Sequence, residues 1–419
     1  VADPAAQTAL RKSAAPQAQA TPDAALCDTA PQPALPDSAT RRWRLTLRQQ
    51  AAAQRRAQRA AAIAHRRAND IVYLGRGVSR GLSHRQSDAA RLQQYNLPVL
   101  TTPADVAQAL GITVPQLRWL CFHREAAQRI HYTLYFVPKR SGGTRQLAAP
   151  HRTLARCQRW VLQHILAQLP AADAAHGFVA GRSTRTNAAP HVGQDVVVNL
   201  DLCDFFPSIT FVRVRGAFHG LGYSLAAATL LALLCTEAPR LETALDVRRR
   251  FVAQGPRCLP QGACTSPALS NWIARRLDAR LSGLASILGW NYTRYADDLT
   301  FSTSGDAAAR VGYLLARVRH IAADEGFAVN EPKTRVLRRH TAQTVTGVVV
   351  NDRPGVPRGL VRRLRAILHH ARREGLASQN RAGHRDFESW LRGMIAYVAM
   401  INPEQGARLQ QALQQVRHD

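Results

Sequence analysis

Tyr295-Ala296-Asp297-Asp298 is the stretch that most constrains how this chain can fold. It lies between Trp290-Asn291-Tyr292-Thr293-Arg294 and Leu299-Thr300-Phe301-Ser302, two runs rich in aromatic and β-branched residues. Each run predicts a strand, with the acidic pair at the corner of a tight hairpin. Adjacent carboxylates at a β-corner repel each other and lose part of their hydration. A hard divalent metal with oxygen ligands is the usual way that cost is offset. A polar Asp-Asp turn would satisfy the same pattern without a metal, so the choice between the two rests on the rest of the chain.

A second acidic cluster follows Val196-Val197-Val198-Asn199-Leu200, which reads as a buried strand. The strand runs into Asp201-Leu202-Cys203-Asp204-Phe205-Phe206-Pro207-Ser208. A carboxylate at the exit of an apolar strand is costly without a partner, so Asp201 is the candidate to share metal ions with Asp297. Asp204 either joins it or caps the next turn.

The formal net charge of +28 points to a polyanionic partner, most simply nucleic acid, and away from an ordinary cytosolic enzyme. Arginine supplies nearly all of it, since the only lysines are Lys12, Lys139 and Lys333. The seven cysteines are scattered with no C-x-x-C pair, which argues against a disulfide framework or a zinc site and suits a reducing cytoplasm. No basic flank followed by an apolar run opens the chain. The longest apolar stretch, Leu225 to Cys235, is too short to span a bilayer, so a soluble protein with no membrane partner is expected.

Taken in order, residues 1 to about 40 are rich in Ala, Pro, Gln and Asp and predict a disordered tail. Arg41 to Arg67 predicts a basic helix or an arm ordered only on RNA, with a solvated polar helix as the alternative. Folded sequence begins near Ile71. Thr102-Pro103 opens a helix, with the hydroxyl as cap and proline in the first turn. Tyr132 to Val137 and Arg145 to Ala148 form a hairpin carrying Lys139, Arg140 and Arg145, either solvated or folded over a triphosphate. His151 to Leu169 predicts an amphipathic helix, followed by a loop bearing His176, Arg182 and His191. Ser224 is placed to cap the buried helix from Leu225. Leu259-Pro260-Gln261-Gly262 leads to a helix with Ser266 as cap and Pro267 in its first position, and Gly262 would let a ligand approach the backbone closely. Val345 to Val350 predicts a short strand. The final segment opens with a basic helix bearing Arg358, Arg362, Arg363, Arg365, Arg372 and Arg373, suited to gripping phosphates.

In this order, the Asp201 block, Leu259-Pro260-Gln261-Gly262, Tyr295-Ala296-Asp297-Asp298 and Lys333 resemble the reverse transcriptases. Asn187-Ala188-x-x-His191 and Val345-Thr346-Gly347 resemble the retron type within them. The resemblance runs from about Ile71 to the C-terminus and implies an α+β right-hand polymerase. Its parts would be a helical module over 71–130, fingers over 131–195, an antiparallel palm sheet with helices over 196–350, and a helical thumb over 351–419. Residues 1–70 would be an N-terminal extension, disordered or helical.

The resemblance further implies two Mg²⁺ ions held by Asp201 and Asp297, with Asp298 in support. Lys139 and Arg145 would hold the triphosphate, and Lys333 could protonate pyrophosphate. Gln261 and Gly262 would line the nucleotide pocket, and Phe206 would be the steric gate against a 2′-hydroxyl. Asn187, His191, Arg358, Arg362, Arg363 and Arg365 are the RNA-binding candidates. The implied substrates are deoxynucleoside triphosphates and a structured noncoding RNA, copied from a 2′-hydroxyl of that RNA into a branched RNA–DNA hybrid. An accessory effector in phage defence is a further implied partner. Two alternatives stand beside this: another reverse transcriptase type, intron-encoded or diversity-generating, and a catalytically idle RNA-binding scaffold.

Overall fold

The computed structural model describes residues 38–138, 142–245 and 248–416. Lys12, Lys139, Arg140 and the tail expected over the first 37 residues lie outside them. The chain divides into two units, 1–62 and 63–419. The described part of the first is helical and belongs to a helix over Ser38–Asn69, which settles the basic Arg41–Arg67 segment as a helix. No helix among the described residues is long and apolar enough to cross a membrane.

The second unit is organised around the strand Val196–Asp201, which sits inside a four-stranded antiparallel sheet. Asp298–Thr303 pairs along one side of it and Arg335–Arg338 along the other, and Asn291–Tyr295 forms the outer strand beside Asp298–Thr303. Side chains alternate across a strand, so the two faces of the central one serve different cores. Val196, Val198 and Leu200 join Leu299 and Phe301 in the larger core, with the helices Leu225–Cys235 and Ser266–Leu288. Val197 points the other way, into a second core built by Val345, Val348 and the C-terminal helices Arg358–Glu374, Phe387–Ile401 and Pro403–Gln414. A strand apolar on both faces is what a doubly covered sheet requires.

Local signals place most boundaries. Thr102 and Asp105 form a reciprocal capping box, and the Ser224 hydroxyl accepts from the Ala227 amide at 3.1 Å. Leu225–Cys235 is buried on all sides from Ala226 onward, as a helix with no polar face must be. The basic hairpin pairs Tyr132–Pro138 with Thr144–Pro150.

Three expectations are corrected. Thr265, not Ser266, occupies the cap position of the long helix, and the Ser266 hydroxyl instead donates to the Pro260 carbonyl at 2.7 Å. Val345–Val350 is not one strand: Thr346 (φ +46°) and Gly347 (φ +85°) turn the chain, so that Thr344–Val345 pairs with Val348–Val349. Two residues with positive φ are what a tight two-residue hairpin turn demands.

The third correction concerns Asn187 and His191, expected to touch RNA. Both are fully buried. The Asn187 side chain donates to the Thr346 hydroxyl at 3.4 Å, so the two retron-like motifs dock on each other. His191 bridges two strands of the sheet, with Nδ1 2.6 Å from the Ser302 hydroxyl and Nε2 2.8 Å from the Thr293 hydroxyl. Thr293 donates its own proton to the Asn187 carbonyl, so it accepts from His191, and the neutral Nε2–H tautomer satisfies all three groups. These residues fasten two short helices, Thr184–Ala188 and Ala189–His191, to the sheet, where the sequence predicted a loop.

Burial pushes the His191 imidazolium down to about 3. A base whose folded pKa is depressed costs stability as pH falls from its unfolded value near 6.5 towards the folded one. Between pH 6.5 and 5 that loss should reach about 2 kcal/mol. Urea unfolding at a series of pH values checks it: His191→Gln should start less stable at pH 7.5 but show a shallower acid slope than the native chain. Parallel slopes would remove His191 as the origin of acid lability.

Candidate active site

The acidic hairpin turns at Ala296 and Asp297, and Ala296 adopts φ +57°, an uncommon conformation for a residue with a Cβ. Several contacts hold it there. The Leu202 amide donates to the Asp297 carbonyl at 2.9 Å, tying the turn to the end of the central strand. Gly177 lies against it so closely that a Cβ would fall 2.6 Å from the Ala296 nitrogen. Beneath the turn, Arg294 is fully buried and forms a two-pronged pair with Asp278, at 2.8 Å through Nε and 2.7 Å through a terminal nitrogen. Its other terminal nitrogen donates to the Ala296 carbonyl and to the Asn271 side chain, each at 3.0 Å. Asn271 in turn donates to the Gly177 carbonyl at 2.8 Å.

The register of the sheet sets Asp298 directly opposite Asp201 on one face, and Asp297 sits at the corner beside them. Asp201 is buried, and both of its oxygens are engaged: Oδ1 accepts from Lys333 Nζ at 2.8 Å and Oδ2 from the Asn330 amide nitrogen at 2.9 Å. Burial, reinforced by the charge of Asp201, holds the Asp297 carboxyl above its ordinary value, against the pull of Lys333 and Arg145. Restricted hydration, followed by the charges of Asp297 and Asp201, pushes the exposed Asp298 carboxyl up to about 6. The hydrogen bond to Asp201 raises the Lys333 ammonium, so in this state Lys333 keeps its proton.

Among the described residues, no group of three or more His, Cys, Asp or Glu side chains is arranged so as to hold a metal ion by itself. The donor set nonetheless fits a hard divalent ion. All three carboxylates offer oxygen, the raised pKa values of Asp297 and Asp298 show that the corner favours added positive charge, and Lys333 already brings one cation to it. Magnesium in particular uses one or two carboxylates and completes its shell with water and substrate phosphate, so a closed protein cage is not required.

The carboxylates open onto a cleft of about 1170 Å³ lined by Asp201, Asp297, Lys333, Arg145, Phe206, Gln261 and Gly262. Seven of the expected residues thus meet in one place. Phe205 and Phe206 both line the cleft but differ in burial: Phe205 is a core residue stacked on Phe327 at 5.5 Å, whereas Phe206 is half-buried and lies near Phe178. Asp204 also lines the cleft and stands at the cap position of the short helix Phe205–Ser208, but its side chain makes no capping bond. Gly262 has a different reason from the one expected. Its φ is +120°, and a Cβ would fall 2.8 Å from the Ala148 carbonyl, so it allows the basic hairpin, rather than a ligand, to approach. The Ala148 amide donates to the Gln261 carbonyl at 2.7 Å, fastening the hairpin to the cleft floor. Arg358, Arg362, Arg363 and Arg365 are all exposed on their helix, and the Arg363 guanidinium lies 5.5 Å from the Trp390 ring centre.

Arg294, Asp278, Asn271 and Asn330 are site residues that periodicity and motif spacing did not single out. The available signal was an arginine inside a run otherwise fit for a buried strand, a placement that demands a partner.

Removing one member of the Arg294–Asp278 pair strands a buried charge, so Arg294→Met alone should cost roughly 3–5 kcal/mol. Combining it with Asp278→Leu should restore much of the melting temperature, since an apolar pair replaces the ions. Nucleotide transfer should nevertheless stay roughly tenfold to a hundredfold down, because the Ala296 carbonyl has lost its donor and the acidic turn its position. Melting curves and single-turnover rates on the two variants check this; a double variant with native rates would reduce Arg294 to a packing role.

Comparison with known proteins agrees with this geometry. The family described as reverse transcriptase (RNA-dependent DNA polymerase) matches residues 137–350, which span the cleft and the whole sheet. The retron Mx65 reverse transcriptase of Myxococcus xanthus is 50% identical over 335 residues, covering 79% of this chain and 75% of its own. The retron Mx162 reverse transcriptase of the same organism is 43% identical over 378 residues, covering 85% and 76%. The retron Ec86 reverse transcriptase of Escherichia coli is 34% identical over 283 residues, covering 67% and 81%. A three-carboxylate corner at the end of an antiparallel sheet, in a chain so similar to these proteins, is that of a right-hand polymerase, and the chain belongs to the retron-type reverse transcriptases, which are RNA-directed DNA polymerases.

Proposed function

We propose that this protein copies part of a cognate structured noncoding RNA into single-stranded DNA, starting from a 2′-hydroxyl of that RNA and leaving a branched RNA–DNA product. The observation that carries the chemistry is the meeting of Asp201, Asp297 and Lys333 in the cleft, with Asp298 paired opposite Asp201 in the sheet. The choice of template rests on the similarity to retron reverse transcriptases. The same similarity supports work beside an accessory effector in phage defence. Residues 131–195 act as fingers, 196–350 as palm and 351–419 as thumb, although the second core draws Val345 and Val348 in with the thumb helices.

Asp201 and Asp297 would hold two Mg²⁺ ions, with Asp298 in support beside them. Magnesium supplies a lowered pKa at the attacking hydroxyl and charge stabilisation on the departing pyrophosphate. The hydroxyl oxygen forms the new bond to the α-phosphorus while the bond to the bridging oxygen of pyrophosphate breaks. Arg145, with Lys139, orients the triphosphate of the incoming deoxynucleotide through charge-assisted hydrogen bonds. Lys333, the only lysine among the described residues, carries the proton for the leaving pyrophosphate and gives it up once it parts from Asp201. Asn330 keeps Asp201 aimed at the cleft. Gln261 lines the base and sugar pocket. Arg358, Arg362, Arg363 and Arg365 grip RNA phosphates from the exposed side of their helix.

Asp297→Asn tests the catalytic assignment. With purified protein, its template RNA, deoxynucleotides and Mg²⁺, DNA synthesis should fall by roughly a thousandfold or more, while RNA affinity and melting temperature hold. Sequencing of the product formed by the native chain reports its template and its branch point; a product primed from a free 3′-end would defeat the branched reading.

Phe206 sets the sugar preference, since its ring is only half-buried at the cleft wall while that of Phe205 is packed into the core against Phe327. A ring against C2′ leaves neither room nor a polar partner for an added hydroxyl. Phe206→Val should raise ribonucleotide over deoxynucleotide incorporation by roughly tenfold or more. The ratio of the two efficiencies is the readout, taken with a melting curve. An unmoved ratio in a folded variant would remove the gate.

A further inference from the structure

The helix Ser38–Asn69 contains nine arginines and no acidic residue. Every residue from Arg41 to Asn69 is exposed. At 3.6 residues per turn all nine arginines fall within an arc of about 160°, along a run of roughly 39 Å between Arg41 and Arg67. The opposite face presents Gln50, Gln54, Ala57 and Ala61. Such segregation is not needed for solubility, which scattered charges supply as well, and it concentrates self-repulsion on one side.

The distribution of bulky apolar residues decides what this face is for. Trp43 and Leu47 fall on the side away from the arginines, but Leu45 and Ile63 fall among them, and all four are exposed. No continuous apolar stripe results. A helix lying in a membrane interface needs one opposite its basic face, and a helix packing on a protein core needs one as well. The one continuous feature is cationic. A preformed helix with one cationic face suits a duplex, whose phosphates are already fixed along its grooves, because neither backbone then has to be ordered on binding.

We propose that this arginine face is a docking surface for the phosphate backbone of an RNA duplex, read without regard to sequence. The inference does not depend on the polymerase site, and a duplex of arbitrary sequence suffices to test it.

The full chain is titrated against a 20-base-pair RNA duplex of random sequence over a range of salt concentrations. One variant carries Arg44→Gln, Arg48→Gln, Arg55→Gln and Arg59→Gln, on adjacent positions of the arginine arc. A second carries Gln50→Glu, Gln54→Glu, Gln58→Glu and Ala61→Glu on the other side and lowers the net charge by the same four. Gln and Glu are both good helix formers, so far-UV circular dichroism should be unchanged in each. The arginine variant should lose about tenfold or more in affinity near 0.15 M salt, and its plot of log affinity against log salt should become shallower by about 3. The charge-matched variant should change less than about threefold and keep the native slope. Equal losses in both variants would show a response to bulk charge and overturn the surface. So would tighter binding of a single strand of the same length, or of vesicles of phosphatidylglycerol and phosphatidylcholine, with the arginine variant impaired only there.

Discussion

The buried pair of Arg294 and Asp278 is the constraint on which the catalytic corner depends. Three carboxylates placed together repel, and a hairpin turn with a positive φ at Ala296 is not a conformation the backbone chooses unaided. The corner keeps its shape because one guanidinium nitrogen beneath it holds the Ala296 carbonyl and the Asn271 side chain, while the other two are fixed by Asp278. Arginine suits this task because one planar group can meet a carboxylate through two bonds and still donate elsewhere. Two ions so deep inside the protein are poor contributors to net stability. Their value lies in position.

Above that base, the acids form a charge balance that is deliberately incomplete. Lys333 and Asn330 engage Asp201, but the two hairpin acids remain above their ordinary pKa values. Burial, and after it the neighbouring carboxylates, holds them there, so added positive charge at the corner is favoured. Close backbone approach governs Gly177 and Gly262. Each lacks a Cβ because another backbone segment passes where it would lie, and each approach locks one wall of the cleft.

The central strand links the two cores. Val196, Val198 and Leu200 bind it to the larger one, and Val197 to the helices that carry the C-terminal arginines. Asp201 terminates that strand, so the position of the C-terminal helices and that of the acids are set by a single rigid element. The docking of Asn187 on Thr346 and the burial of His191 between Ser302 and Thr293 reinforce the connection from the side of the short helices over 184–191.

The sequence by itself determined the features that have a local signature. Alternating and branched residues marked the strands, capping residues marked helix starts at Thr102 and Ser224, and an acidic pair between two such strands marked a tight turn. The arginine excess marked a polyanionic partner. What tertiary structure alone decided was which side of each residue faces what. Asn187 and His191 carry hydrogen-bonding groups equally suited to RNA or to the interior, and only the packing of two short helices onto the sheet assigned them inward. Gly262 announced a close approach but not that Ala148 makes it. Arg294 and Asp278 are 16 residues apart on a strand and a helix, and Asp201 and Lys333 are 132 apart. Pairings of this kind leave no period in the chain, because a hydrogen bond depends on distance and direction in space, which sequence spacing does not encode.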